Sequence, residues 1–325
     1  MPSVLELLLN SGPRQQTFNL TAALPPGWSF TRAGNTATYW NRGTLYTALA
    51  NVPRFEFDAN GVALGYLNEP AATNIYLNSQ APATQTIAVT AQAYTLSFYG
   101  TGTIALTGTY TGTLSGTGAG NLVQLPFTPT AGALVATVTG TVTNVQLEAG
   151  TFATSRIITG ATAVTRNADN LTVPLKLYPW LQAVRSYSFD VVFTLPSNVQ
   201  TGTVYPISFS GSSGSNDSAI FDITGGSLRL IRYVAGNATV TSYRDLLALA
   251  GNKNTLAVSV IPTKINFWIN GNSDVLSSTS EALSMTTIGI GQGGWLPGTG
   301  VTAAHFLSLT LRAGSSTPAQ LQAMR

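Results

Sequence analysis

The sequence predicts an all-β protein, two jelly-roll or β-sandwich domains in tandem after a short N-terminal attachment segment, and three observations carry this. Asp, Glu, Lys and Arg make up 8% of the 325 residues, against about 25% in an average globular chain. Thr, Ser, Asn, Gln and 32 Gly must solvate the surface instead. Thr is β-branched and suits a pleated, half-buried surface, while the exposed helix formers Glu and Lys are almost absent. Finally, short runs of alternating polar and apolar residues recur between turn dipeptides, and the length suits two ordinary cores better than one.

Residues 1–80 read as the attachment or connector segment. The apolar run Val4–Leu5 and Leu7–Leu9, broken by Glu6, is too short and lacks the basic flank of a secretion signal. It either docks on a partner or covers a domain edge. Turn signals follow at Gly12-Pro13, Pro25-Pro26-Gly27 and Asn60-Gly61. In Arg54-Phe55-Glu56-Phe57-Asp58 both Phe side chains share one face of a strand that ends at the Asn60-Gly61 hairpin. Residues 81–168 narrow to Thr, Gly, Ala and Val in period two, as in Thr101–Gly118 and Leu134–Val145. Ile104, Leu106, Tyr110, Leu114, Val123, Leu125 and Phe127 supply an inward face, which predicts a small sandwich of about eight strands rather than disorder.

Residues 169–325 begin within the polar cluster Thr165–Asn170, which marks the boundary. Strands are expected at Ser186–Leu195, Val204–Ser210, Ala219–Ile223, Ser227–Tyr233, Asn254–Ile261, Lys264–Ile269, Thr286–Ile290 and Ala304–Arg312. Asp245–Ala250 reads as one helical turn. Thr317-Pro318 places a cap and a first-turn proline before a short terminal helix, Ala319–Met324.

Several function classes lose support on composition. The net charge of +3 is dispersed, with no Lys or Arg run, so the electrostatic footprint of a nucleic-acid binder is missing. No stretch approaches the roughly 18 apolar residues of a membrane span. Without cysteine there is no disulfide, thiolate metal site or thiol nucleophile.

The phrases Phe30-Thr31-Arg32-Ala33, Ala50-Asn51-Val52-Pro53-Arg54-Phe55, Gly65 to Asn74 (GYLNEPAATN), Val145 to Ser155 (VQLEAGTFATS) and Ala163 to Asp169 (AVTRNAD) resemble, in this order, the connector and carbohydrate-module-like sandwich of tailed-bacteriophage virion structural proteins. The C-terminal half is similar to the concanavalin-like, laminin-G-like jelly roll that follows in that family. The resemblance implies a virion component assembled in the host cytoplasm, a tail fibre, spike, or capsid-fibre or decoration subunit. It also implies other virion proteins as partners through the N-terminal segment and a homo-oligomer, by family habit a trimer. Three roles stay open: a short fibre or spike that contacts host surface polysaccharide, a decoration protein that stabilises the particle without a receptor, and a polysaccharide depolymerase, the least favoured.

The residues themselves offer little catalysis. The only histidine, His305, sits beside Phe306 and reads as a packing residue, and there is no G-x-S-x-G elbow. Asp190 and Asp222 are the carboxylates to test for glycoside hydrolysis, with solvent-facing strand residues as the alternative. Gly289–Gly294 matches G-x-G-x-x-G in form, but Trp295-Leu296-Pro297 stands where a helix must start. The chain is therefore expected not to be an enzyme and to need no cofactor. Asn272 and Asp274 are candidate ligands for a structural calcium ion in a loop that is mostly hairpin chemistry. Trp180, Tyr233, Tyr243 and Trp295 are candidate sugar platforms with Asn216, Asp217 and Asn237 as polar partners. A core or subunit-interface role is the alternative for these aromatics.

Overall fold

The computed structural model describes residues 15–34, 36–182, 186–195, 204–211, 214–224, 227–234, 237–245, 251–261, 264–270, 272–277, 285–292 and 301–324. Their regular secondary structure is almost entirely strand. The apolar run within residues 1–10 lies outside them.

Two sheets build the larger sandwich. One runs, strand by hydrogen-bonded strand, through Asn272–Ser277, Lys264–Ile269, Lys253–Ile261, Tyr187–Thr194, Ala304–Ala313, Ala63–Asn68, Arg54–Phe57, Ala37–Asn41 and Thr44–Ala48. The other runs through Ser29–Thr31, Asn170–Pro174, Met285–Ile290, Val204–Gly211, Gly214–Thr224, Ser227–Val234 and Asn237–Asp245. Their facing apolar residues close one core, in which Phe189, Val191 and Phe193 of the first sheet meet Ile207, Phe209, Ile288 and Ile290 of the second. The Phe189 and Phe209 rings lie 4.9 Å apart.

The strands between Gln15 and Asn68 belong to this sandwich. Gln15–Asn19 pairs with Ser308–Arg312, Ser29–Thr31 with Asn170–Thr172, and Tyr66–Asn68 with Ala304–Phe306. Phe18, Trp28 and Tyr66 sit in the shared core, where the Trp28 indole N–H donates to the Tyr178 hydroxyl at 2.8 Å. Gly65 makes the approach to the C-terminal strand possible. Its φ is +117°, and a Cβ there would stand 2.5 Å from the Phe306 carbonyl oxygen.

Tyr187–Thr194 is buried on both faces. Its outer side is covered by the chain's last segment, where Ser316 Oγ lies 2.8 Å from Ser188 Oγ. Next to it the helix Pro318–Ala323 seats Leu321 on Ala257 and Trp268. That helix starts as the sequence predicts, with a complete capping box between Thr317 and Gln320.

The Thr/Gly-rich region forms a separate small sandwich. One sheet holds Gly112–Ser115, Thr103–Gly108, Gly132–Thr139 and Gln85–Val89, the other Gly118–Phe127, Tyr94–Gly100 and Val142–Ala149. Seven strands stand where about eight were expected. Ile104, Leu106, Leu114 and Phe127 are buried as anticipated, while Tyr110, Val123 and Leu125 are partly so.

One local expectation is completed and one changes. In Arg54–Phe57 the two Phe residues share one face as expected, and the sequence does not say which face turns inward: it is that of Arg54 and Glu56, because the charged pair finds buried partners. Asp245 closes a strand instead of opening a helical turn, and 246–250 lie outside the described residues.

Candidate functional site

Five of the few charged residues form one buried network where the two sandwiches meet. Arg54 donates from Nη1 to Glu69 at 2.7 Å and to Ser155 Oγ at 2.7 Å, and from Nη2 to Asp169. Arg166 reaches the same Glu69 oxygen at 2.7 Å, and Arg32 holds Asp169 at 2.9 Å. All five ionic side chains are buried. Burial opposes the charge on Glu69, but Arg166 and Arg54 outweigh it and hold the carboxyl down at about 2. Isolated buried charge is costly, so these groups persist because they pair and hydrogen-bond one another.

Asn74 extends the junction with every amide capacity used. Its Nδ2 donates to the Val145 and Ile157 carbonyls, and its Oδ1 accepts from the Tyr76 and Leu147 N–H groups. Residues 152–157 are latched from two sides. Glu148 accepts from the Thr154 N–H at 2.6 Å and the Thr154 hydroxyl at 2.7 Å, and Glu69 accepts from the Ser155 N–H at 2.6 Å. Burial pushes the Glu148 carboxyl up, against the pull of these donors.

Beside this junction lies a cleft of about 270 Å³, between the strands at 37–41, 54–57 and 304–305 and the sheet containing Tyr99 and Asn144. Trp40, Tyr39 and Tyr99 give it aromatic walls, with Trp40 and Tyr99 6.2 Å apart. Glu56, also in the lining, accepts from the Trp40 backbone N–H at 2.7 Å and lies 2.7 Å from His305 Nε2. His305 is therefore a cleft residue oriented by a carboxylate, not merely a packing residue.

Arg156 is the unusual member. It is 7% exposed, its guanidinium stacks 3.5 Å above the Tyr99 ring centroid and 5.7 Å from that of Trp40, and no carboxylate pairs with it among the described residues. Nη1 donates to the Asn144 carbonyl at 3.1 Å. Asn144 presents that carbonyl from a left-handed backbone, φ 53°, at a bulge in its strand, an arrangement that recurs where a fold aims a group at a site. Nε and Nη2 have no acceptor among the described residues, and the Nε of Arg32, Arg54 and Arg166 is likewise without one there. Burial brings the guanidinium down to about 10, with Tyr99 pulling the other way.

The residues singled out from sequence lie elsewhere. Trp180 packs partly buried against the main core, edge-on to Tyr178 at 6.3 Å. Asn216, Asp217, Tyr233, Asn237 and Tyr243 fall within strands instead of loops, since pairing runs on through these polar positions. The register sets Asp217 opposite Val234 and Val234 opposite Asn237, with Tyr233 one position away, so Asp217, Tyr233 and Asn237 share one end of this ribbon. Tyr243 pairs with Leu228 near the other end, and Trp295 lies outside the described residues. Asn272 and Asp274 belong to a strand paired with Ile269 and Phe267. Among the described residues no group of three or more His, Asp or Glu stands together as a metal site.

Asp190 contacts Arg312, and burial pushes its carboxyl up against that pull. Asp222 is in the opposite sheet. Gly289 and Ile290 end a strand, and 293–300 are not described. No described helix is long and apolar enough to cross a membrane.

No protein-family model matches the chain, and no curated protein matches it. Among solved structures it is similar to the Ruminococcus gnavus IT-sialidase CBM40, at 10% identity and a TM-score of 0.38, over 47% of this chain and 91% of that one. It is also similar to a leech intramolecular trans-sialidase, at 11% identity and a TM-score of 0.38, and to Trypanosoma rangeli sialidase, at 12% and 0.35. Each of these two similarities covers 47% of this chain and 25% of the sialidase.

Proposed function

We propose that this chain is a non-catalytic, glycan-binding structural component of a bacteriophage particle, and that the cleft between its two sandwiches is where a saccharide sits. The observation that carries the binding part is the cleft's composition: aromatic faces from Trp40 and Tyr99 beside the hydrogen-bonding groups of Glu56, His305 and Arg156. Sugar rings need both, a flat apolar face for their C–H side and polar groups for their hydroxyls. The latched loop at 152–157 supports a preformed site, since ordering costs are met on folding and not on binding. The virion assignment rests on the sequence phrases that resemble tailed-phage proteins and on a surface solvated by Thr, Ser and Asn in place of charge.

A glycan array with the whole chain tests the first part. Binding to a defined set of saccharides, weakened about tenfold or more by Trp40→Ala, is the expected result. Silence across the array, or unchanged binding in the variant, would overturn the glycan reading and favour a decoration role. Antibody labelling of purified phage particles that encode the chain tests the second part, and its absence from them would end the virion assignment. Release of oligosaccharides from incubated capsular polysaccharide would overturn the non-catalytic reading.

A further inference from the structure

Leu122 stands apart in the cleft wall. It is 46% exposed, a large apolar side chain left in water on a face whose nearest members, Ser97, Gln124 and Gln146, are polar. The strand register fixes where it points. Leu122 lies directly opposite Tyr99 on the neighbouring strand, and opposed residues of an antiparallel pair project from the same face with their Cβ atoms about 5 Å apart. Leu96 and Phe98, on the other face, fill the core of the small sandwich. Tyr99 and Leu122 therefore look outward into the cleft, where Trp40 meets the Tyr99 ring. A second apolar group arrives on the latched loop. The Ala153 N–H donates to Gln124 Oε1 at 3.1 Å, two positions along the strand from Leu122 and on its face. That bond ties the segment carrying Phe152 to this strand, and Phe152 lines the cleft with Leu122.

We propose that the cleft selects a sugar whose ring carries a methyl-bearing substituent, either an acetamido group or a methyl in place of the hydroxymethyl arm. The ring rests on Trp40 and Tyr99, and the methyl group on Leu122 and Phe152. This rests on the glycan-binding reading above and names the ligand class of the same site. Aromatic faces take the C–H side of a ring, but a hydroxyl turned onto Leu122 or Phe152 loses water and finds no donor or acceptor on either side chain. A methyl group there gives up nothing and leaves water favourably. Because Leu122 follows Tyr99 directly, a substituent on a ring stacked at Tyr99 reaches the leucine without a second sugar between them. The cleft's volume of about 270 Å³, just under the lower end of about 300 Å³ for ligand pockets, suits one substituted monosaccharide.

Isothermal titration of the whole chain tests it with two matched pairs: methyl N-acetylglucosaminide against methyl glucoside, and methyl L-fucoside against methyl L-galactoside. Each pair differs in the substituent alone, and the methyl aglycone common to all four cancels. A preference for the methyl-bearing member of about fourfold or more in at least one pair is expected, the effect of taking one methyl group out of water. The pair that responds tells an acetamido sugar from a deoxy sugar. Leu122→Ser removes the apolar contact, so the preference should fall to within about twofold of parity. Circular dichroism checks that the variant folds; if it does not, the parent's ratios alone decide. Equal affinity within both pairs overturns the inference and spares the glycan-binding reading. Failure of all four sugars to bind overturns it as well, and the array then decides separately whether the cleft takes any saccharide. A preference that survives intact in folded Leu122→Ser overturns the assignment of the methyl group to this wall.

Discussion

Replacing Glu69 by Gln probes the charged junction at its centre. The carboxylate receives both guanidinium contacts at 2.7 Å, from Arg54 and Arg166, together with the Ser155 N–H and hydroxyl. Gln keeps the shape but removes the charge, and with its carbonyl oxygen facing the two guanidiniums it sets its NH₂ against the Ser155 N–H donor. Three arginines are then left with Asp169 alone. Removing one member of such a buried set costs about 3–5 kcal/mol. The carboxyl's own titration gives a similar figure, because a fall from its ordinary 4.5 to about 2 corresponds to about 3 kcal/mol at 1.36 kcal/mol per unit.

The dependence on acid follows from the direction of that fall. On acidification the unfolded chain takes up this proton first, so the stabilisation is fully present above about pH 5. It is lost as the pH drops through 4.5 towards 2, where the folded carboxyl is finally protonated. Guanidinium melts of parent and Glu69→Gln across pH 7 to 2 measure the difference directly. It should stand near 3 kcal/mol at neutral pH and shrink towards zero at the acid end. A variant within 1 kcal/mol of the parent at pH 7, or a difference that does not change with pH, would refute the assignment of Glu69 as a charged, paired group.

Two other substitutions probe how the sandwich is closed. Gly65→Ala should destabilise the fold by about 2–4 kcal/mol, since its Cβ would meet the Phe306 carbonyl at 2.5 Å on a backbone that L residues avoid; a melting temperature within a degree of the parent's would count against the close pairing. Leu321→Ala should cost about 2–3 kcal/mol and make the terminal helix sensitive to limited proteolysis before the rest, because that side chain seats it on Ala257 and Trp268. Simultaneous, not stepwise, digestion would show that the helix is not held by this contact.

Much of the β architecture is legible in the sequence because alternation reports burial directly. Lys264–Ile269 and the Asn270 turn after it appear as expected, the latter at φ 46°. Alternation names a face but not a partner, so nothing in Gln15–Asn19 reveals that Phe18 belongs to a core built mainly from the second half of the chain. It also fails where the inward face is charged. Nothing local to Arg54 and Glu56 says that their side of the strand turns inward, because their partners Glu69, Asp169 and His305 are separate in sequence.

The cleft was missed for the same reason, since its walls come from eight separated stretches. One signal was available. A chain so poor in charge places Arg32, Arg54, Glu69, Glu148, Arg156, Arg166 and Asp169 in or directly beside the very phrases that resemble the phage family, and charges that scarce are worth suspecting of burial with one another.

The pairing of Gln15–Asn19 with Ser308–Arg312 bears on how the molecule comes off the ribosome. Its opening strand has no partner until nearly three hundred further residues have been synthesised, whereas the small Thr/Gly-rich sandwich draws its sheets from residues 85–149 alone. Biosynthesis should thus yield a folded middle flanked by a waiting upstream arm, and the final closure, with its high contact order, should be slow. During that interval the exposed edge strands are open to a neighbouring copy, which gives nascent chains on one message an opportunity to exchange arms.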